Sequence, residues 1–342
     1  MNWRFRTLLL ALALLMAFST AFNHAVLLER IRPGYIAISQ WAAHNAVLKG
    51  IAGNPRQYRV LPEYLAEGVR RLFSGFNEAP NDTVWGFVAF RMLIDTAVLL
   101  LAYAYYRQLG LTRVLAIVGM ILLSRGVALA TFDSNLSFDS FLELALYLAA
   151  AGAIAKGRYE LVIPVTLIAA LTRETSGLIP VMCLAALAWE VELRRRRTVI
   201  LTGLASFAVY ATAFFGLRAY YGPQGFDSGY GHMPGWDLLS FNAQQLTTWV
   251  QLLAVLSVVP FLALYGYQTW PLRLKAIFFA VVPTWFVVHM FMAILAEARL
   301  LLVPLAVAFL PGALFLAQRL LASSLRPART GSNTARKSPS ST

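Results

Sequence analysis

WGFVAFRMLIDTAVLLLAYAYY, residues 85–106, is a stretch of 22 residues in which only Arg91 and Asp95 carry charge. At about 1.5 Å of rise per residue, a helix of that length spans about 30 Å, the thickness of a bilayer's hydrocarbon core. The two charges are four residues apart and so share one face of the helix, where they can neutralise each other inside a bundle. This segment reads as a membrane-crossing helix, and the rest of the chain is written in the same way.

Nine further apolar runs lie near 7–28, 114–132, 140–155, 161–172, 176–190, 198–218, 245–264, 276–295 and 300–318. The expectation is an all-α, polytopic helical membrane protein with about ten transmembrane helices, forming one domain over 1–325. Composition agrees: of 342 residues 59% are hydrophobic and 13% charged, with a mean hydropathy of +0.63. A globular protein carries about a quarter charged residues, so the net charge of +13 does not describe a soluble nucleic-acid binder. The basic, apolar N-terminus has the pattern of a signal peptide but reads better as a retained first span. Cys183 is the only cysteine, which leaves no disulfide or cysteine metal site within one chain. The fifth and sixth runs, separated by Thr172-Arg173-Glu174-Thr175, read as a hairpin that enters the membrane only in part.

Arginine and lysine set the orientation. With both termini cytoplasmic, the cytoplasmic segments hold 17 of the 29 basic residues, among them Arg107, Arg113, Lys156, Arg158, Arg194 to Arg197, Arg273 and Lys275. The net charge is thereby assigned to topology, and the expected location is a bacterial inner membrane. The stretch 326–342, Ser-rich and without an apolar period, reads as a disordered cytoplasmic tail that can touch anionic lipid.

The opposite face collects the candidates for chemistry. Its first loop, 29–84, places Leu61, Leu65, Val69, Leu72 and Phe73 at helical spacing, which predicts an amphipathic helix on the outer membrane surface, entered through Asn54-Pro55. Arg59 with Glu63 and Glu67 with Arg71 stand four apart and form expected ion pairs, while Tyr58 and Pro62 suggest a fixed turn about Arg59. Between the third and fourth runs, Asp133 and Asp139 offer two carboxylates for proton transfer or a divalent cation such as Mg2+ or Mn2+, with helix capping the plainer duty for Asp139. Arg173 and Glu174 stand at the hairpin tip, where a charge costs about 2.5–3.5 kcal/mol and so marks a site or a neutralising pair. Glu297 and Arg299 repeat that pattern before the last run. Glu143 with Arg125 reads as a neutralising pair between helices, and His24, His44, His232 and His289 have no ligand spacing. The outer loop 219–244, rich in Gly, Pro and aromatics, suits a lid or a sugar-stacking surface, and no phosphate-cradling glycine motif occurs.

The order QYRVLPEYL, Phe132-Asp133, LTRETSGLIP and Glu297-Ala298-Arg299 resembles bacterial polytopic membrane proteins related to the GT-C glycosyltransferases. The likeness runs from about Asn54 to Pro304 and implies a GT-C-like fold. It also implies transfer of a sugar from a polyprenyl-phosphate carrier to a glycan, lipid or protein acceptor of the cell envelope. In that family an acidic residue of the first outer loop serves as general base or metal partner, and Glu29 stands nearest that position.

Combining both lines, Arg59, Arg173 and Arg299 are candidates for binding the carrier phosphate, and Asp133, with Glu29 and Glu63 as rivals, for the base or metal duty. Tyr58, Asp139, Glu174 and Glu297 complete the candidate substrate site. The partners expected are the bilayer, the lipid-linked sugar and its acceptor, and no nucleic acid. Two other readings fit the same residues: a transporter or flippase of a lipid-linked or anionic substrate, and a non-catalytic scaffold for envelope assembly.

Overall fold

A computed structural model of the chain describes residues 3–75, 81–132, 134–225 and 231–324. Every element among them is helical. In chain order they are α1 (Trp3–Ile31), α2 (Trp41–Leu48), α3 (Val60–Ser74), α4 (Asn81–Leu109), α5 (Arg113–Leu129), α6 (Phe138–Ala155) and α7 (Val162–Ala170). There follow α8 (Leu178–Leu184), α9 (Leu193–Tyr221), α10 (Trp236–Gln244), α11 (Leu246–Leu256), α12 (Val259–Tyr265), α13 (Leu272–Met292) and α14 (Ala298–Ser324). The expected tail 326–342 lies outside the described residues.

Among the described residues six helices are long and apolar enough to cross a membrane: α1, α4, α6, α9, α13 and α14. A seventh span arises if α11 and α12, bent by 63° where they meet, count as one. Length and composition alone do not reach the ten spans expected among the described residues. Apolar composition says nothing of continuity, and three of the runs are interrupted. The hairpin runs become short apolar helices, Tyr159–Ala170 and Glu174–Ala188, parted at Thr172-Arg173. The run 245–264 breaks at Ser257, whose φ of 53° is a left-handed conformation that no helix continues through. The run 114–132 forms α5, at 17 residues the lower end of the length that spans.

α4 is the centre of the bundle, with α1, α3, α5 and α6 packed about it. Close approach needs small residues. A Cβ on Gly86 would lie 2.5 Å from the Cα of Arg70, so α3 rests directly on the backbone of α4. At the other end of α4, the hydroxyls of Tyr105 and Tyr106 donate to the carbonyls of Val307 (2.9 Å) and Ala306 (3.0 Å), inside a π-helical stretch of α14. Those carbonyls sit in a wider turn than an α-helix makes, and two tyrosines supply donors where water cannot reach.

Arg91 and Asp95 pair as expected, Nε to Oδ1 at 2.9 Å, and both are fully buried. Thr20 of α1 donates to the second oxygen of Asp95 at 2.8 Å, and Arg91 donates to the carbonyl of Leu136 at 2.9 Å. The ion pair thus also ties the segment before α6 to α4. Glu143, by contrast, does not meet Arg125, which is exposed; it faces Arg173 instead.

Removing one partner of a buried pair strands the other charge, which costs about 3–5 kcal/mol. Arg91→Ala should therefore lower the thermal unfolding midpoint in detergent sharply, and Arg91→Leu combined with Asp95→Leu should recover most of the loss.

Candidate functional site

The site forms at the end of the bundle where α1, α5 and α13 finish and α4, α6 and α14 begin. Local structure fixes Arg59 first. After the cis Asn54-Pro55 peptide, the chain makes one 3-10 turn, Arg56–Tyr58. The buried Gln57 side chain holds that turn by accepting from the amide of Ala52 (2.8 Å) and donating to the carbonyl of Val47 (3.2 Å). Arg59 then stands at the N-terminus of α3, where the amide of Leu61 reaches the carbonyl of Leu171 at 3.1 Å. This bond docks α3 against the hairpin tip.

From there Arg59 spans two elements. Nη1 donates to Oδ2 of Asp139 on α6 at 2.8 Å, and Nε donates to Oε2 of Glu174 at the hairpin tip at 3.1 Å. Burial opposes the charge on the guanidinium, but Glu174 and Asp139 outweigh it and hold the pKa of Arg59 above the usual arginine range. Arg173 lies alongside: its Nη1 donates to Oγ of Ser140 at 2.7 Å and lies 3.9 Å from Asp139, while its Nε is 3.5 Å from Glu143. The tip itself is held by Tyr147 and Tyr210, whose hydroxyls donate to the carbonyls of Thr175 (2.6 Å) and Glu174 (2.7 Å), and by a bond from Thr175 to Glu143. On the far side Arg299 bonds Glu297 at 2.6 Å, and Trp285 donates to the carbonyl of Leu300 at 2.7 Å, fixing the turn into α14.

These side chains border a cavity of about 260 Å3. Arg56, Arg59, Arg173 and Arg299 line it together with Glu63, Asp139 and Glu297, and Gln40, His44 and Asn135 add further polar groups. Six of the ten residues expected from sequence therefore meet in one place: Arg59, Glu63, Asp139, Arg173, Glu297 and Arg299. Glu174 stands behind Arg59 and orients it. Tyr58 opens instead on a neighbouring cleft beside Arg218, its hydroxyl donating to the carbonyl of Gly222 at 2.9 Å. Glu29 is not among the cavity residues; it accepts from the amides of Gly34 (2.7 Å) and Ile36 (3.0 Å) and so shapes the turn after α1. Asp133 lies outside the described residues.

Two finer expectations are corrected. Asp139 does not cap α6: Ser137 occupies the cap position, and the Asp139 carboxylate faces Arg59 and Arg173. Arg59 does not pair with Glu63, because the turn before α3 swings it toward α6, whereas Glu67 and Arg71 do pair at 2.7 Å. α3 has the amphipathic pattern expected of 60–74, with Tyr64, Leu65 and Leu72 exposed on one face and Glu67 buried against the protein on another. Asp139 is bonded by Arg59 and lies 3.9 Å from Arg173, Asp133 of the same divalent-cation reading lies outside the described residues, and among the described residues no group of three His, Cys, Asp or Glu side chains could hold a metal ion.

His44 was missed. It is buried on α2, with Nδ1 2.6 Å from Oε2 of Glu63 and Nε2 3.3 Å from Oε2 of Glu67. Its partners are 19 and 23 residues away, a separation with no periodic signature. Glu63 is consequently the one described cavity carboxylate whose hydrogen bond comes from a histidine, where Asp139 and Glu297 are bonded to arginines.

No family model, no curated protein and no solved structure matches this chain. The likeness to GT-C enzymes accordingly rests on its short motifs.

Glu67 also accepts from both nitrogens of Arg70 that face it, at 2.8 and 3.0 Å. Hydrogen bonds from Arg70, with those of Arg71 and His44, overcome burial and bring its pKa from 4.5 down to about 2. A carboxylate depressed in the folded state stabilises fully above its unfolded pKa and loses that contribution as pH falls toward the folded value. The difference in thermal midpoint between wild type and Glu67→Gln should be largest above about pH 4.5 and shrink steadily toward pH 2.

Proposed function

We propose that the protein is a membrane glycosyltransferase that takes a sugar from a polyprenyl-phosphate carrier and places it on an envelope acceptor at the outer face of a bacterial inner membrane. The observation that carries this reading is the cavity itself, in which Arg59, Arg173 and Arg299 converge beside an arginine-free carboxylate, Glu63. A guanidinium presents a planar fork of donors matched to phosphate oxygens, and a carboxylate that accepts from histidine rather than arginine keeps an oxygen available to take a proton. The reading is supported by orientation as well. The cavity lies at the ends of the helices that point away from Arg107, Lys156 and Arg194 to Arg197, the basic segments that the positive-inside rule assigns to the cytoplasm.

In this mechanism Arg173 and Arg299 bind the carrier phosphate and receive the charge that develops on it as the sugar leaves. Arg59, anchored by Asp139 and Glu174, sets the position of Arg173's neighbours and closes one wall. Glu63 accepts the proton of the acceptor hydroxyl as its oxygen attacks the sugar. A second reading, a transporter or flippase of a lipid-linked anion, is favoured by one observation: Arg91, Asp95 and His24 form a polar cluster inside the spans, where ionisable groups mark transport paths.

Purified protein in liposomes, given radiolabelled polyprenyl-phosphate-linked sugars and an envelope acceptor extract, separates the two. Glycosyl transfer that falls about 10²- to 10⁴-fold in Glu63→Gln and is lost in Arg173→Ala supports the enzyme. Movement of the labelled lipid across the bilayer with its sugar bond intact would sink it in favour of transport.

A further inference from the structure

A line of hydrogen bonds leaves the cavity through α3. Glu63 reaches His44 at 2.6 Å, and the opposite ring nitrogen reaches Glu67 at 3.3 Å. Glu67 is bonded in turn by Arg71, whose side chain is 72% exposed, so its carboxylate stands one side chain from solvent. His44 itself is only 1% exposed. Trp41 stacks on it with ring centroids 5.3 Å apart and Phe87 of α4 meets it edge-on at 5.0 Å, which keeps water from taking its place. Among the described residues the charged groups nearest the ring are these, with Arg56 and Arg59 on the cavity side and Arg70 over Trp41 at 4.9 Å. α3 contributes Glu63 and Glu67, Arg70 lies beyond Glu67 and bonds Asp82 of α4 at 2.6 Å, and α4 otherwise presents Phe87. Ionised carboxylates only accept, so both contacts are hydrogen bonds when the ring carries a proton on each nitrogen.

We propose that His44 couples Glu63 to Glu67, so that a proton taken up by Glu63 in the cavity weakens the hydrogen bond at one ring nitrogen and strengthens the one that the opposite nitrogen makes to Glu67. This rests on the reading of Glu63 as the base, and His44 acts through it as a positioning residue. In the step, the acceptor hydroxyl gives its proton to the free oxygen of Glu63 while its own oxygen bonds to the anomeric carbon. The bond from that carbon to the phosphate oxygen breaks, and its electron pair stays on the phosphate. Glu63 is then neutral and holds the Nδ1 side of the ring less strongly, and the ring's hydrogen bonding shifts toward Glu67. Loss of the Glu63 proton to cavity water restores the start.

Infrared pH titration of the full-length protein in lipid nanodiscs tests the coupling without substrate. The carbonyl band of protonated Glu63 is assigned by its disappearance in Glu63→Gln. Glu67→Gln should displace the midpoint of that band, and the same substitution made on top of His44→Gln should displace it far less. An equal displacement with and without His44, or none, overturns the proposal. If His44→Gln fails to fold, 15N-histidine labelling decides, since there are only four histidines to resolve. The His44 ring resonances should move in both Glu63→Gln and Glu67→Gln, and a response to only one overturns the coupling. In the transfer assay, His44→Gln should lower kcat about 10²-fold and alter its pH profile with KM little changed. Absence of transfer in wild type would refute the proposed function, whereas the infrared titration would still decide the coupling.

Discussion

The guanidinium of Arg59 holds three separate pieces of chain at one spacing. It begins α3, bonds Asp139 in the first turn of α6, and bonds Glu174 at the tip of the hairpin. Two carboxylates of like charge would repel across that gap, and a buried arginine without them would be stranded. Each member therefore makes the others tolerable in a region of low dielectric. Arg173 inherits its position from this arrangement, because Ser140 and Glu143, which receive it, lie one and four residues past Asp139 on the same helix.

Seen through that constraint, the irregular backbone around the site has a reason. The broken hairpin exists so that its charged tip meets α6 rather than emerging on the far side of a full span. Its carbonyls, which no helix satisfies, are met by Tyr147 and Tyr210. Asn242 does the same for the end of α13, donating to the carbonyls of Met290 (3.0 Å) and Ala293 (2.8 Å). Polar side chains are spent where helices stop short, as a bilayer demands of any backbone within it.

How much of this could be read beforehand depended on the range of the interaction. The membrane class and the pairs Arg91 with Asp95 and Glu67 with Arg71 follow from local spacing, and all were legible. So was the list of charged residues in apolar surroundings, because each such charge is costly enough to need a purpose; six of them converge on the cavity. Their partners were not legible. Asp139 lies 80 residues from Arg59 and Glu174 lies 115, and nothing in a single sequence ties them. Glu143 was matched to Arg125 by proximity in the order of spans, and only the turn of α6 shows that it faces Arg173. The continuity of the spans was not legible for a related reason, since hydropathy averages over a break such as Ser257 that one backbone angle decides.

α3 is held on its inner side by close contact of Gly86 with Arg70, and it turns Tyr64, Leu65 and Leu72 outward. One wall of the cavity therefore has protein on one side and, in a membrane, acyl chains on the other. Glu63 and Arg59 stand on or beside that same helix, so whatever apolar surroundings meet its outer face would bear on the cavity from behind.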